Sequence, residues 1–406
     1  MTRAAPRTAA AALLHCGAPD WGAALALVAH DIYHLSAYAQ IDAGTEDGHA
    51  RAFCYREGDQ VLLLPMVVRN VPGAIGLRDA CTPYGYSGPV TSAGSDAEFL
   101  GRALVALVQT MRTAGIITLF ARLHPLLPNP LESLAGIGHV VRHGDTVSVD
   151  LTQSVAEAWH DMRRGHRNQV HRARRAGLRY GVDDWELFAP WLSTYHANMR
   201  ALGAAPRYFF PVEYFRALRA QLPGQVHLVT VTDGGGGFVG GTVLFEHGSI
   251  VQAHLAATRW EHDAATHAGK LLDSETAGWA RGRGAQAYHL GGGAGGQNDA
   301  LFHYKAGFSK SRHSFHTWRV VADPEAYRTL SARCAGVDLD ADLDGDSFFP
   351  AYRRTDVRSR ATDPRNSGAP TSPSASTPLG RTTCTTVRSR MPRSIEAEDP
   401  STYALS

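Results

Sequence analysis

The sequence predicts an α+β fold of two consecutive units. Each unit is a mixed, mostly antiparallel sheet flanked by helices, and a disordered tail follows. Three observations carry this. From Ser154 onward the hydrophobic patterning reads helix, helix, three-strand meander, helix, strand, helix, strand. The first part of the chain shows a weaker version of the same order. Past Arg354, Ser, Thr, Pro and Arg dominate and apolar periodicity ends. A chain of 406 residues has room for both units. The expected boundaries are a flexible 1–19, a first unit over 20–151, a second over 152–354 and a disordered 355–406.

In the first unit, Trp21 to Val28 reads as a helix, and an aromatic segment from Tyr33 to Tyr38 cannot be typed. Arg51 to Tyr55 and Val61 to Val68 read as paired strands around Glu57-Gly58-Asp59. Thr82-Pro83-Tyr84-Gly85-Tyr86-Ser87-Gly88-Pro89 is a rigid loop. Phe99, Leu104, Leu107, Val108 and Met111 recur at helical spacing over Ala97 to Ala114. Ile116 to Ala121 and Thr146 to Leu151 read as strands.

The second unit opens on a capping box, Ser154 with Glu157. The helix behind it is expected to continue to Ala176, where Gly177 stops it. Trp185 to Ala201 is helical, with Pro190 an interruption near its start. A short helix follows Pro211. The meander is Val226 to Thr232, Phe238 to Phe245 and Ile250 to Ala257. A helix from about His267 to Arg283 leads to a strand ending at His289, and Trp318 to Val321 is the last strand.

Composition narrows the function classes. Hydrophobic content of 44% and charged content of 19% describe a globular protein. Net charge is only +2, so any polyanion-binding surface must be local. Five scattered cysteines form no C-x-x-C pair, which argues against a zinc knuckle or disulfide framework and fits a cytoplasmic protein. The apolar run after Arg3 and Arg7 is too short for a signal peptide, and none approaches the roughly 20 residues of a membrane span.

Arg163 to Arg179 is the strongest charge feature: seven arginines, among them Arg163, Arg167 and Arg174, and no acid. It is either a solvated basic helix or a surface for a phosphate-rich partner, because such a run repels itself in a nearly neutral protein. His289-Leu290-Gly291-Gly292-Gly293 is a strand running into glycines. An aromatic segment with Tyr304 and Lys305 follows. By itself this reads as a tight turn before an amphipathic helix, or as a backbone opening beside an electrophilic lysine. The glycines lack the Gly-Lys-Ser/Thr of a P-loop. His262 with His267, and His313 with His316, lack a third metal ligand, so no metal is expected. Asp340, Asp342 and Asp344 mimic a calcium loop whose twelfth position is Ala351 where a glutamate is required. There is no nucleophile elbow, so covalent catalysis is not indicated.

Leu290-Gly291-Gly292-Gly293, Asp299-x-Leu301 and Tyr304-Lys305-x-x-Phe308 together resemble the signature of Fem-type aminoacyltransferases. So do the Tyr84–Tyr86 loop, Arg122-x-His124-Pro125 and the Arg-rich helix ending in Ala176-Gly177. The resemblance spans roughly residues 20 to 354. It implies two tandem GNAT-like domains with the active site near their junction. It also implies transfer of an amino acid from aminoacyl-tRNA to an amine of a peptidoglycan precursor or small peptide, without a cofactor. Tyr304 and Lys305 would lie at the reacting carbonyl, with Lys305 stabilising the oxyanion. Arg163, Arg167, Arg174, Gly291, Gly292 and Gly293 would serve the donor, and Tyr84, Tyr86, Arg207 and Tyr208 the acceptor.

The chain departs from the family in lacking a long heptad arm. It also lacks the pyrophosphate motif of acetyl-CoA enzymes, whose place is held by Thr266-His267-Ala268-Gly269-Lys270. An acyltransferase using acyl-CoA or an acyl carrier, and a non-catalytic RNA-binding protein, remain as alternative readings.

Overall fold

The computed structural model describes residues 9–92, 96–332 and 348–354. The tail after Arg354, the aspartates 340, 342 and 344, and Cys334 and Cys384 lie outside the described residues.

Among the described residues, one mixed sheet of 13 strands organises the fold. The first half contributes β1 (Ala9–His15), β2 (Gly48–Glu57), β3 (Gln60–Asn70), β4 (Arg78–Cys81), β5 (Val90–Thr91), β6 (Ile116–Arg122) and β7 (His139–Asp150). The second contributes β8 (Arg179–Val182), β9 (Val226–Thr232), β10 (Phe238–His247), β11 (Ile250–Thr258), β12 (Ala287–Gly291) and β13 (Arg312–Val321). Ala9–His15, expected to be flexible, is an edge strand, because its backbone pairs antiparallel with β2 from Ala9–Glu57 to His15–Arg51.

The spatial order is β1-β2-β3-β4-β6-β13-β7-β12-β11-β10-β9-β8, with β5 paired only to β3. The two arms mirror each other. β2-β3-β4 and β9-β10-β11 are antiparallel meanders, β6 lies parallel to β4, and β12 lies parallel to β11. The closing strands are exchanged. β13, from the second half, pairs β6, and β7, from the first, pairs β12. β7 and β13 pair antiparallel at the centre and join the two arms.

The helices of the first half are α1 (Pro19–Leu25), α2 (Ser36–Thr45), α3 (Ala97–Thr113) and α4 (Leu131–Ala135). Those of the second are α5 (Val155–Asp161), α6 (Arg164–Arg175), α7 (Phe188–Ala201), α8 (Val212–Gln221), α9 (Ala265–Gly282), α10 (Ala300–Lys305) and α11 (Pro324–Ser331). Strand alternation explains how both faces are covered. Leu62, Leu64 and Met66 of β3 pack with α3, whereas Val61, Leu63 and Val67 pack toward Trp21 and Leu25 of α1. Val229 and Val231 of β9 join the α6–α9 side, while Leu228 faces the aromatic cluster of α7 and α8. That cluster also takes in Ile32, Tyr33, Tyr38 and Tyr86, so the two halves share one core.

The expected continuous helix from 154 to 176 is two helices. The Ser154–Glu157 capping box starts α5. Met162 is then extended at φ −62°, ψ 133° and buried, and the Arg163 N–H donates to the Gly307 carbonyl at 2.8 Å. Tertiary pairing at that point overrides helix propensity. Pro190 does not interrupt α7. It occupies the first turn, where its missing N–H has no helical partner to lose.

Candidate active site

The site is built at the end of β12. Strand alternation sends Tyr288 and His289 to opposite faces of the sheet. Tyr288 faces α9, where its hydroxyl donates to Asp273 Oδ1 at 2.8 Å. His289 faces the aromatic cluster of the other layer, its ring 5.3 Å from that of Tyr86. β12 bulges at Leu290 against β7, and Gly291 turns the chain at φ 78°. A Cβ at Gly293 would collide with the Gln297 carbonyl, so the loop closes on itself. Asp299 pins it, accepting from Ala294 N at 2.9 Å and capping α10 through Phe302 N at 2.8 Å.

α10 then carries Lys305 back beneath the turn. Its Nζ donates to the Gly292 carbonyl at 2.7 Å, and the residue is buried. Burial pulls the ammonium pKa down to about 7, while Asp273 and Asp299 favour the charge. Lys305 is therefore poised to gain or lose a proton near neutrality, and is not a permanent cation.

Tyr304 is held in the helical layer. Its hydroxyl donates to Asp273 Oδ2 at 2.7 Å, and Lys270 Nζ sits 4.5 Å from its ring centroid. His166 Nε2 of α6 donates to the Tyr304 carbonyl at 2.9 Å. Burial raises the Asp273 carboxyl above the ordinary range, against the opposing effect of the two phenols.

The basic run divides by its contacts. Arg167 is consumed by the fold, because its guanidinium donates to the carbonyls of Trp159, His160 and Met162 at 3.2, 2.9 and 2.6 Å. These are the ends of α5 that a helix leaves unpaired. Arg174 pairs with Glu275 at 2.7 Å. Both were expected at the donor, and in the structure both have protein partners. Arg163 is exposed and reaches the His303 carbonyl at 3.4 Å. Arg164, Arg172, Arg175 and Arg179 are also exposed. The glycines likewise have local explanations. Gly293 is required by the loop's own atoms, and a Cβ at Gly292 would approach the Asp145 carbonyl to 3.0 Å.

Of the residues expected at the acceptor, Tyr84, Arg207 and Tyr208 meet across the two halves. The Tyr84 and Tyr208 rings lie 6.3 Å apart, and the Arg207 guanidinium stacks 4.9 Å from the Tyr208 ring centroid. Tyr86 turns away from this group toward His289, His124 and Phe315.

Four residues missed as site candidates form a buried chain beside Tyr86. Leu126 N–H donates to His124 Nδ1 at 3.1 Å, and His124 Nε2 donates to Asp31 Oδ2 at 3.0 Å. The Gln252 amide nitrogen also donates to Asp31 Oδ2, and Gln252 Oε1 accepts from His289 Nδ1 at 2.9 Å. Burial pushes His289 well below the usual imidazole range, with His124, Lys305 and His313 adding to the effect. Histidines at the two strand ends, His124 after β6 and His289 on β12, were the signal available in the sequence. Asp31 and Gln252 carried none.

Residues 160–306 match the family model described as "Acetyltransferase (GNAT) domain". The matched stretch runs from the end of α5 to α10 and contains Lys305, Asp273, Gln252 and His289. Among solved structures, FemX matches with a TM-score of 0.57 at 13% identity, covering 73% of this chain and 93% of that one. That likeness shows a shared fold. The C-terminal domain of a putative lysylphosphatidylglycerol synthetase from Agrobacterium fabrum matches at TM-score 0.49 and 14% identity, over 73% of this chain and 89% of that one. A tandem GNAT protein from the clavulanic acid biosynthesis pathway matches at 0.44 and 12%, over 78% and 99%. No curated protein sequence matches the chain. Among the described residues no helix is long and apolar enough to cross a membrane.

Proposed function

We propose that the chain is an N-acyltransferase. It would move an amino acid from aminoacyl-tRNA onto an amine of a peptidoglycan precursor or small peptide. The observation that carries this reading is Lys305, buried inside the stretch that matches the GNAT family model and held on the Gly292 carbonyl. A neutral amine attacks the ester carbonyl, the C–N bond forms and the carbonyl oxygen becomes an oxyanion. Protonated Lys305 stabilises that charge in a site that excludes water. The ester C–O bond then breaks and the ribose oxygen leaves with a proton. No enzyme nucleophile is needed. The FemX-like fold and the exposed arginines of α6 support a tRNA donor.

The description of the matching family, an acetyltransferase domain, favours a second reading with an acyl-thioester donor. Labelled amino acid on tRNA separates the two. Transfer abolished by ribonuclease is expected, and transfer from acyl-CoA that survives ribonuclease overturns the tRNA reading.

A further inference from the structure

We propose that His289 is a further catalytic residue, the proton acceptor for the attacking amine, held in its basic tautomer by Gln252 and Asp31. The proposal rests on the acyl-transfer reading above and adds to it a base on the opposite face of β12 from Tyr288.

The hydrogen-bond chain leaves one tautomer for each member. The backbone N–H of Leu126 donates to His124 Nδ1, so the His124 proton is on Nε2 and points at Asp31. Two donors, His124 Nε2 and the Gln252 amide nitrogen, converge on Asp31 Oδ2. Reversing the Gln252 amide would set its oxygen against the carboxylate, so its oxygen must face His289. That oxygen can only accept, which places the His289 proton on Nδ1. Nε2 is left with a bare lone pair. It is buried and, among the described residues, has no hydrogen-bond partner.

A buried imidazole nitrogen with no partner carries a desolvation cost. Burial keeps this imidazole neutral, and a carboxylate and an amide relay leave its acceptor atom without a proton. As the amine nitrogen bonds to the acyl carbon, its proton passes to Nε2. The imidazolium that forms is stabilised by Asp31 through the polarised Gln252 amide. The proton then passes to the departing oxygen, and His289 ends neutral. His289 stands two residues before Gly291 on β12, and Lys305 Nζ donates to the Gly292 carbonyl of the turn that follows, so both residues border the same glycine turn. The Tyr86 ring, which packs on His289, belongs to the 82–89 loop that turns at Gly85 with φ 105°.

The test uses the full chain with ¹⁵N-labelled histidine. The His289 signal, assigned by its loss in His289→Asn, is expected to show an unprotonated Nε2 at pH 7. Gln252→Leu should abolish that tautomer preference, which a purely packing role for Gln252 would not do. Titration with glycinamide, a simple primary amine, should move the Nε2 resonance saturably toward its protonated value. A resonance that stays in place, or an Nε2 already carrying hydrogen, overturns the proposal.

Asn retains a donor to Gln252 and lacks the distal lone pair, so His289→Asn should slow amide formation about 100-fold or more, with KM little changed. If charged tRNA supports transfer and His289→Asn matches wild type, the base assignment falls and the donor reading stands. If no charged tRNA supports transfer while glycinamide still shifts Nε2, the donor reading falls and the base site stands.

Discussion

At the scale of single residues, Lys305 sets two measurable consequences. Lys305→Met should lower turnover about 100- to 1000-fold, the usual loss for one oxyanion donor, in a single-turnover transfer assay. The second consequence concerns pH. The folded pKa, about 7, is below the unfolded value near 10.4. Between these values the unfolded chain binds the extra proton, so stability rises with pH from about 7 to about 10. Lys305→Met removes this contribution. Its melting temperature should therefore show a flatter rise over that window than wild type, measured by calorimetry. Activity follows the opposite course. If the charged amine stabilises the oxyanion, turnover on the alkaline side should fall with an apparent pKa near 7, and a rate that keeps rising to pH 9 would remove that role. The charge pattern of 163–179 was plain in the sequence, but which arginines face solvent was not. Arg167 looks like any other member of the run until α5 places three carbonyls beside it.

At the scale of elements, the break between α5 and α6 turns one long helix into two with different duties. Arg167→Ala strips the guanidinium from the end of α5 and should cost about 1–3 kcal/mol by chemical denaturation, with little change in the salt dependence of tRNA binding. The combined alanine variant of Arg164, Arg172 and Arg175 should do the reverse. Stability holds, tRNA affinity falls, and the slope of log affinity against log salt flattens by roughly one per lost phosphate contact. The reading from sequence located the meander, α9 and β12 because each has strong local periodicity. It missed β1 and β8, whose short runs are fixed by edge pairing with β2 and β9. It also shortened β7 and β13. Their outer residues, such as Arg142 and His316, are polar and are strand only because they pair with each other.

At the scale of the whole molecule, the order of the sheet could not be read from the chain at all. Local patterning says that a strand exists, whereas partner choice between β6 and β13 is a contact between distant parts of the sequence. The shared aromatic core and the exchanged closing strands predict one cooperative unfolding transition for both halves, with fluorescence and circular dichroism curves that superimpose. Two separated transitions would show that the halves are energetically independent. The same exchange governs how the protein emerges from the ribosome. When the first half has been synthesised, β6 has β4 on one side and an open edge on the other, because β13 is still to be translated. β7 is meanwhile a finished strand awaiting β12. Two nascent copies caught at this stage would each offer the other a strand and a vacancy. The chain is thus most exposed to mispairing between neighbours on a polysome, and β13 closes that window when it is made.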